Sequence, residues 1–376
     1  MEYSKFLYLN EDDMLEAGVD NMEACMNVIE EMFVLLNKGD YRMGGENANE
    51  HGIRVSFPKE SNIPGMPIHE PDKRFMAMPA YLGGQFKAFG IKSYGSNPHN
   101  VDKGLPRSIL MMSLLDVETG MPLAYMSANI LSAMRTGATI GLGAKYLSCK
   151  HVETVGIIGP GTMSKYALIS FLVAHPSISK VYIKGRGEKK IHQFINYFKQ
   201  NYPNIKEYKV CDNIEETCKN SDIVFYGTTN ASKYEDNPRV EYDWLKPGAL
   251  VISASALLVD SDFLSKPDVK LIADNYEMYN GWGTGYELPT QKNVSTLLGM
   301  GFFDAISEGK IDRELVTDLG EIICKEKESR VNENQIVLYA VGGMPIEDVA
   351  WANFVYNTAL EKKLGTYLKL WEKTKL

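Results

Sequence analysis

The sequence predicts an α/β protein in which a Rossmann-type, doubly wound parallel sheet is inserted into a second α+β domain formed by the N-terminal and C-terminal segments. Three observations carry that expectation. From residue 150 onward, candidate strands at 154–158, 180–184, 207–211, 222–226, 249–253 and 269–273 alternate with helix-compatible segments, the pattern of parallel strands joined by crossover helices. The first of these runs breaks into Gly159-Pro160-Gly161 and passes at once into a helical stretch. Before residue 130 the chain instead carries β-branched and aromatic runs punctuated by glycine and proline, which suit an antiparallel or mixed sheet.

The elements follow in order. Met22, Cys25, Met26, Ile29, Met32, Phe33 and Leu36 recur at helical spacing, so an amphipathic helix is expected over 21–37, ended by Gly39. Strands are expected at 52–58, 75–82, 86–94 and 109–116, with Gly83-Gly84 as a hairpin turn. Residues 128–147, rich in small and apolar side chains, read as a buried helix that tolerates close neighbours. Helices are also expected at 311–328 and 346–363, the latter introduced by Pro345-Ile346-Glu347-Asp348. The most economical division gives a dinucleotide-binding domain over 131–305. Residues 1–130 and 306–376 then form the substrate-binding and dimerisation domain.

A chain of 376 residues with net charge −8 lacks the basic surplus that a nucleic-acid partner demands. No apolar run reaches membrane-spanning length, and the opening MEYSKFLYLN has no signal-like apolar core. The five scattered cysteines fit no metal-ligand spacing and read as free thiols. The expectation is a cytoplasmic protein without a bound metal, a membrane or a nucleic acid.

The chemistry begins at 159–164. A strand that turns abruptly into a helix presents free N–H groups and the positive end of a dipole, which suits a pyrophosphate. The first glycine permits the tight turn, the second lets the phosphate approach bare backbone, and small Ser164 takes the third fingerprint position. Gly159, Pro160, Gly161, Thr162 and Met163 are therefore expected at the cofactor.

Several motifs taken together point to a family. They are FGIKSYGSNP around Lys92, GLPRS at 104–108, DVETGMPLA at 116–124, SAMRTGA at 132–138, GIIGPGTM at 156–163, SDIVFYGTT at 221–229 and GGMPIEDVAWA at 342–352. In order and spacing the chain resembles the ornithine cyclodeaminase/mu-crystallin family of NAD(P)-dependent proteins over essentially its whole length. Its MAMPAYLGG, GLPRSIL and VGGMPIEDVAW runs are most similar to the branch that carries the name of a tyramine oxidase subunit, and nothing in it resembles a copper or quinone amine oxidase. The resemblance implies that Arg54 and Lys92 bind a substrate carboxylate, a task that suits a bidentate guanidinium beside a compact ammonium. Arg107 belongs to the GLPRS form of its segment and joins them as a candidate. Arg135 and Thr136 are implied to face the cofactor phosphates and the substrate carboxylate, with Lys92 and Arg135 as the catalytic pair. Thr228 and Thr229 are implied at the cofactor.

The chain also departs from the cyclodeaminases. Where those enzymes carry a proton-transferring aspartate after a Rossmann strand, it has Ala256 or Leu257, and Met76 stands where an acid would hold ornithine's side-chain amine. Asp260 and Asp262 read as turn or cap residues, and Asp348 as either a cap or an active-site group. The glycine- and aromatic-rich stretch 274–290 reads as a loop, packed or closing over an aromatic substrate. Lys184-Gly185-Arg186 occupies the end of the second Rossmann strand, where NAD-preferring folds place an acid for the ribose hydroxyl. NADP(H) is thus the preferred cofactor, with NAD(H) as the alternative. The resemblance implies a homodimeric oxidoreductase acting on an amino acid, imino acid or related amine, an aromatic amine among them. Ornithine cyclodeaminase and a non-catalytic NADPH-dependent binding protein remain open alternatives.

Overall fold

The computed structural model describes residues 4–70 and 73–374. The chain forms two compact units, Met1–Arg135 with Met344–Leu376, and Thr136–Gly343. The first unit opens with β1 (Lys5–Leu9), α1 (Glu11–Glu16) and α2 (Met22–Asn37). Helix α2 starts on the Asn21 side chain, which accepts from Ala24 N, and Gly39 follows its end at φ 73°, as its apolar stripe and glycine predict. Next come β2 (Tyr41–Met43), β3 (Ile53–Val55), β4 (Arg74–Leu82), β5 (Ala88–Ser96), β6 (Ser108–Asp116) and β7 (Pro122–Ser127). Strands β4 to β7 form an antiparallel meander, whereas β1 lies parallel to β7.

Two expected strands are displaced. The 52–58 strand shrinks to three residues, because Pro58 and the chain beyond it leave the sheet. The 86–94 strand starts two residues late, since Phe86 and Lys87 complete the turn and donate to Gly83 O. Helix α3 (Asn129–Leu147) then occupies the expected place.

The second unit holds β8 (Thr154–Ile158), α4 (Thr162–Ala174), β9 (Lys180–Lys184), α5 (Glu188–Asn201), β10 (Glu207–Val210), α6 (Ile214–Lys219), β11 (Ile223–Tyr226) and β12 (Leu250–Ser253). It continues through α7 (Ser261–Leu264), β13 (Val269–Ala273), α8 (Tyr276–Gly283), α9 (Thr290–Asn293), α10 (Leu298–Ser307), β14 (Val316–Asp318), α11 (Leu319–Ile323) and β15 (Ile336–Ala340). All eight strands are parallel, in the order β10-β9-β8-β11-β12-β15-β13-β14. The order reverses direction around β8, as in a doubly wound sheet.

Three expectations are corrected here. Residues 306–343 belong to this unit rather than to the first, because β15 pairs with both β12 and β13. The helix expected over 311–328 is a short strand followed by a helix. β-branched Val316 and Thr317 pair with β13, and Asp318 then caps α11 through a capping box with Glu321. The 274–290 loop contains the helix α8, started by the Asn275 side chain accepting from Glu277 N.

The chain returns to the first unit with α12 (Pro345–Lys362) and β16 (Thr366–Lys369), the latter antiparallel to β1. Helix α12 packs on α2, β4 and β5. Its buried face includes Ile346, Val349, Trp351 and Val355, and Trp351 Nε1 donates to Val19 O at 3.2 Å. The opposite sheet face, with Ile53, Val55, Phe75, Ile109 and Tyr125, is open.

Candidate active site

The first unit assembles its charge on the sheet face beneath α12. Lys92 lies at the centre of β5, in register between Met78 and Met112, and all three are buried. Lys92 Nζ donates to Asp348 Oδ2 at 2.6 Å and to Ser132 Oγ at 3.1 Å. Arg135 Nε donates to Asp348 Oδ1 at 3.1 Å, and Nη1 to Glu347 Oε2 at 2.7 Å. Both carboxylates lie in the first turn of α12, where the helix dipole favours negative charge. Asp348 is thus a buried bridge between two cations.

Burial pulls the Lys92 ammonium down, and Arg135 acts in the same direction. Asp348 and Glu347 pull it back up, and the group stands at about 8 rather than in the usual lysine range. Burial also opposes the charge on Arg135, but Asp348 and Glu347 outweigh it, so the guanidinium is held charged more firmly than usual. Burial and the nearby Glu347 push the Cys25 thiol of α2 well up, so it stays protonated.

Arg54 and Met76 are directly paired, and Met76 is paired with Tyr94. That row shares the face of Lys92, one strand repeat of about 7 Å away. Arg54 is exposed, with Nη2 3.5 Å from Lys73 O. Arg107 lies further off, just before β6, where its carbonyl accepts from Asn97 N at 2.9 Å. The structure therefore joins Lys92 and Arg135 through Asp348, sets Arg54 and Met76 in the adjoining row, and leaves Arg107 at a loop neck. Thr136 is buried in the following turn of α3.

In the second unit, the candidate cofactor residues cluster at the carboxyl ends of β8, β9 and β11, around the reversal of strand order. Gly159 has φ +85°, and a Cβ there would lie 2.9 Å from Gly227 O. Gly161 caps α4 with no side chain, and a Cβ on it would meet nothing nearer than 4.0 Å. Ser164 Oγ donates to Gly159 O at 2.6 Å, tying the helix to the turn. Thr162 and Met163 form the first turn of α4, and Pro160 packs so closely on Gly185 that a Cβ there would sit 2.8 Å from its ring. Bare backbone, an open approach and an uncapped helix start fit a dinucleotide pyrophosphate. At the end of β9, Lys184 Nζ donates to Asp212 O. Arg186 Nη2 donates to Thr229 Oγ1 at 3.0 Å, and Thr228 N to Ser255 Oγ at 3.1 Å.

Beyond β12 the backbone turns Ala256 and Leu257 into the core, where both are fully buried. Gln291 Nε2 locks that turn by donating to Leu257 O at 2.9 Å. Asp260 sits at the start of α7 without a side-chain capping bond.

The chain matches the ornithine cyclodeaminase/mu-crystallin family over residues 19–363. It belongs to that family. Among its relatives is the N-((2S)-2-amino-2-carboxyethyl)-L-glutamate dehydrogenase of Staphylococcus aureus, 28% identical over 98% of this chain and 99% of that one. The alanine dehydrogenase of Archaeoglobus fulgidus is 29% identical over 93% and 94%. Among solved structures, an archaeal alanine dehydrogenase dimer with bound NAD superposes with a TM-score of 0.75 at 27% identity, covering 98% of this chain and 100% of that one. These family relatives are dehydrogenases of amino acids and their N-substituted derivatives.

Glu347 and Ser132 were not singled out by the sequence reading. A signal for Glu347 was present: two adjacent acids inside the apolar run GGMPIEDVAWA are costly to bury without cationic partners.

Proposed function

We propose that this protein is an NAD(P)-dependent oxidoreductase that acts on the carbon–nitrogen bond of an amino or imino acid. The observation that carries the reading is the Lys92–Asp348 pair: a buried ammonium titrating near 8, fixed by a carboxylate, on the sheet face that also carries Arg54. When bound, the nicotinamide exchanges hydride with the carbon bearing nitrogen, and the overall change passes through an imine. Lys92 Nζ supplies a proton in the reductive direction and takes one in the oxidative direction, a role that favours a proton affinity near the working pH. Arg54 is assigned to the substrate carboxylate, with Arg107 at its margin, and Met76 gives the adjoining wall an apolar character. Arg135 anchors Asp348, and with Thr136 begins the chain's passage into the cofactor-binding unit.

The turn from Gly159 to Met163 is assigned to the pyrophosphate. Lys184, Gly185, Arg186, Thr228 and Thr229 are assigned to the adenosine ribose, with Arg186 favouring a 2′-phosphate and hence NADP(H). The open sheet face with Ile53, Val55, Phe75, Ile109 and Tyr125 is assigned to a second copy of the chain, since monomers rarely leave such a face wet. No described helix is long and apolar enough to cross a membrane. The cysteines are all free thiols, which suits the reducing cytoplasm to which we assign the enzyme.

The decisive experiment follows nicotinamide absorbance with both cofactors while L-alanine, other amino acids, cyclic imines and aromatic amines are supplied in turn. Turnover of a carboxylate-bearing compound supports the reading. Tight cofactor binding without any turnover overturns it in favour of a binding protein.

A further inference from the structure

Four charged side chains share one buried volume in the first unit: Lys92 from β5, Arg135 from α3, and Glu347 and Asp348 from α12. Uncharged groups adjoin the cluster: Met78 and Met112 in the register row of Lys92, Ser132 from α3, and, beside Glu347 and Arg135, the protonated Cys25 thiol from α2. Two cations and two carboxylates balance. Removing one member leaves an odd charge in a place where water cannot compensate for it.

Within the cluster the bonds are divided unequally. Asp348 gives one oxygen to each cation, Oδ1 to Arg135 Nε and Oδ2 to Lys92 Nζ. Arg135 has a further donor, Nη1, and Glu347 Oε2 meets it at 2.7 Å. We propose that Glu347 is a positioning residue for Lys92: by satisfying Arg135 through Nη1, it leaves Asp348 Oδ2 committed to the ammonium and keeps that ammonium charged and fixed. Without the Glu347 charge, Arg135 competes for both oxygens of Asp348 and its own charge stands uncompensated beside Lys92. The Lys92 proton is then released at lower pH. Rotation of the guanidinium around Asp348 also loosens the ammonium's seat.

The catalytic use of this device rests on the reading of Lys92 as the proton-transferring group, but its test does not require turnover. The native Lys92 titrates at about 8, whereas an unfolded lysine titrates at about 10.4. Between those values the unfolded state binds more protons, so the native state gains stability as pH rises through the window. Urea midpoints from about pH 7 to about 10.5, with the Lys92→Met profile subtracted, display that rise. Glu347→Gln, which keeps the shape and one acceptor oxygen, should begin its rise about one pH unit lower than wild type. An onset that coincides with wild type, or lies above it, overturns the proposal.

Should Glu347→Gln fail to fold, the double variant Arg135→Met/Glu347→Gln removes one cation and one anion together and leaves Asp348 to Lys92. An onset at or above that of wild type then supports the proposal, and a lower onset overturns it. Turnover is measured separately. If Lys92→Met kept full turnover with an unchanged pH profile, the catalytic reading would fail, while the urea profiles would still decide the role of Glu347.

Discussion

Asp348 Oδ2 lies 2.6 Å from Lys92 Nζ, and both side chains are closed off from solvent. A buried pair of this kind is costly to break and sensitive to its surroundings, so measurable consequences attach to it and to the glycine turn.

Lys92→Met replaces an ammonium by an apolar chain of similar length between Met78 and Met112, and leaves Asp348 with one cation. A stability loss of about 3–5 kcal/mol is expected from unpairing a buried charge, with turnover abolished. In wild type the reductive rate needs the protonated amine, so kcat/KM should fall as pH rises through about 8. The oxidative rate needs the neutral amine and should rise through the same value. Rate profiles in both directions check the sign.

Gly161→Val and Gly159→Ala should separate binding from folding. A side chain at 161 has open space, so the valine variant should melt near wild type yet lose cofactor binding. Alanine at 159 meets Gly227 O at 2.9 Å in a left-handed conformation, and should cost about 1–3 kcal/mol. Thermal melts and fluorescence titration with NAD(P)H distinguish the two.

Arg186→Ala should weaken NADPH binding by roughly 10–100-fold, the worth of one charge-assisted hydrogen bond, and change NADH binding little. Dissociation constants for both reduced cofactors decide the matter. Equal constants in the wild type would count against a phosphate site at Arg186.

Little conversion of ornithine to proline is expected. Ala256 and Leu257 are buried and cannot transfer a proton, and Met76 offers no charge to a side-chain amine. A missing acid–base group costs about 10²–10⁴ in rate. Rapid proline formation would restore the cyclodeaminase alternative.

The central Rossmann strands β8, β11 and β12 were legible because each is a short apolar run buried on both faces, and the outer β9 and β10 followed from the strand–helix alternation. Strand β15 escaped notice although its five residues are equally apolar, because the alternation before it is broken by the 326–335 segment. Residues 311–328 misled because the helical spacing of Leu315, Leu319 and Ile322 coexists with a β-branched pair that the sheet claims first. At the candidate site, single residues such as Lys92 and Arg135 could be marked from their motifs. Their pairing could not, because Asp348 lies 256 residues from Lys92 and 213 from Arg135. Sequence spacing carries no information about such a contact until the fold closes.

That separation also sets an order of events during synthesis. Strand β1 pairs with β7, made before the Thr136–Gly343 unit, and with β16, made after it, and the carboxylates for Lys92 and Arg135 emerge only with α12. The unit from Thr136 to Gly343 is a continuous stretch and can complete its sheet on the ribosome. The β4–β7 meander must wait, with two cations left without counter-charges until α12 arrives. Truncations that remove α12 should therefore act less like trimmed tails than like missing cores, releasing chains whose Thr136–Gly343 unit is finished and whose first unit has never closed.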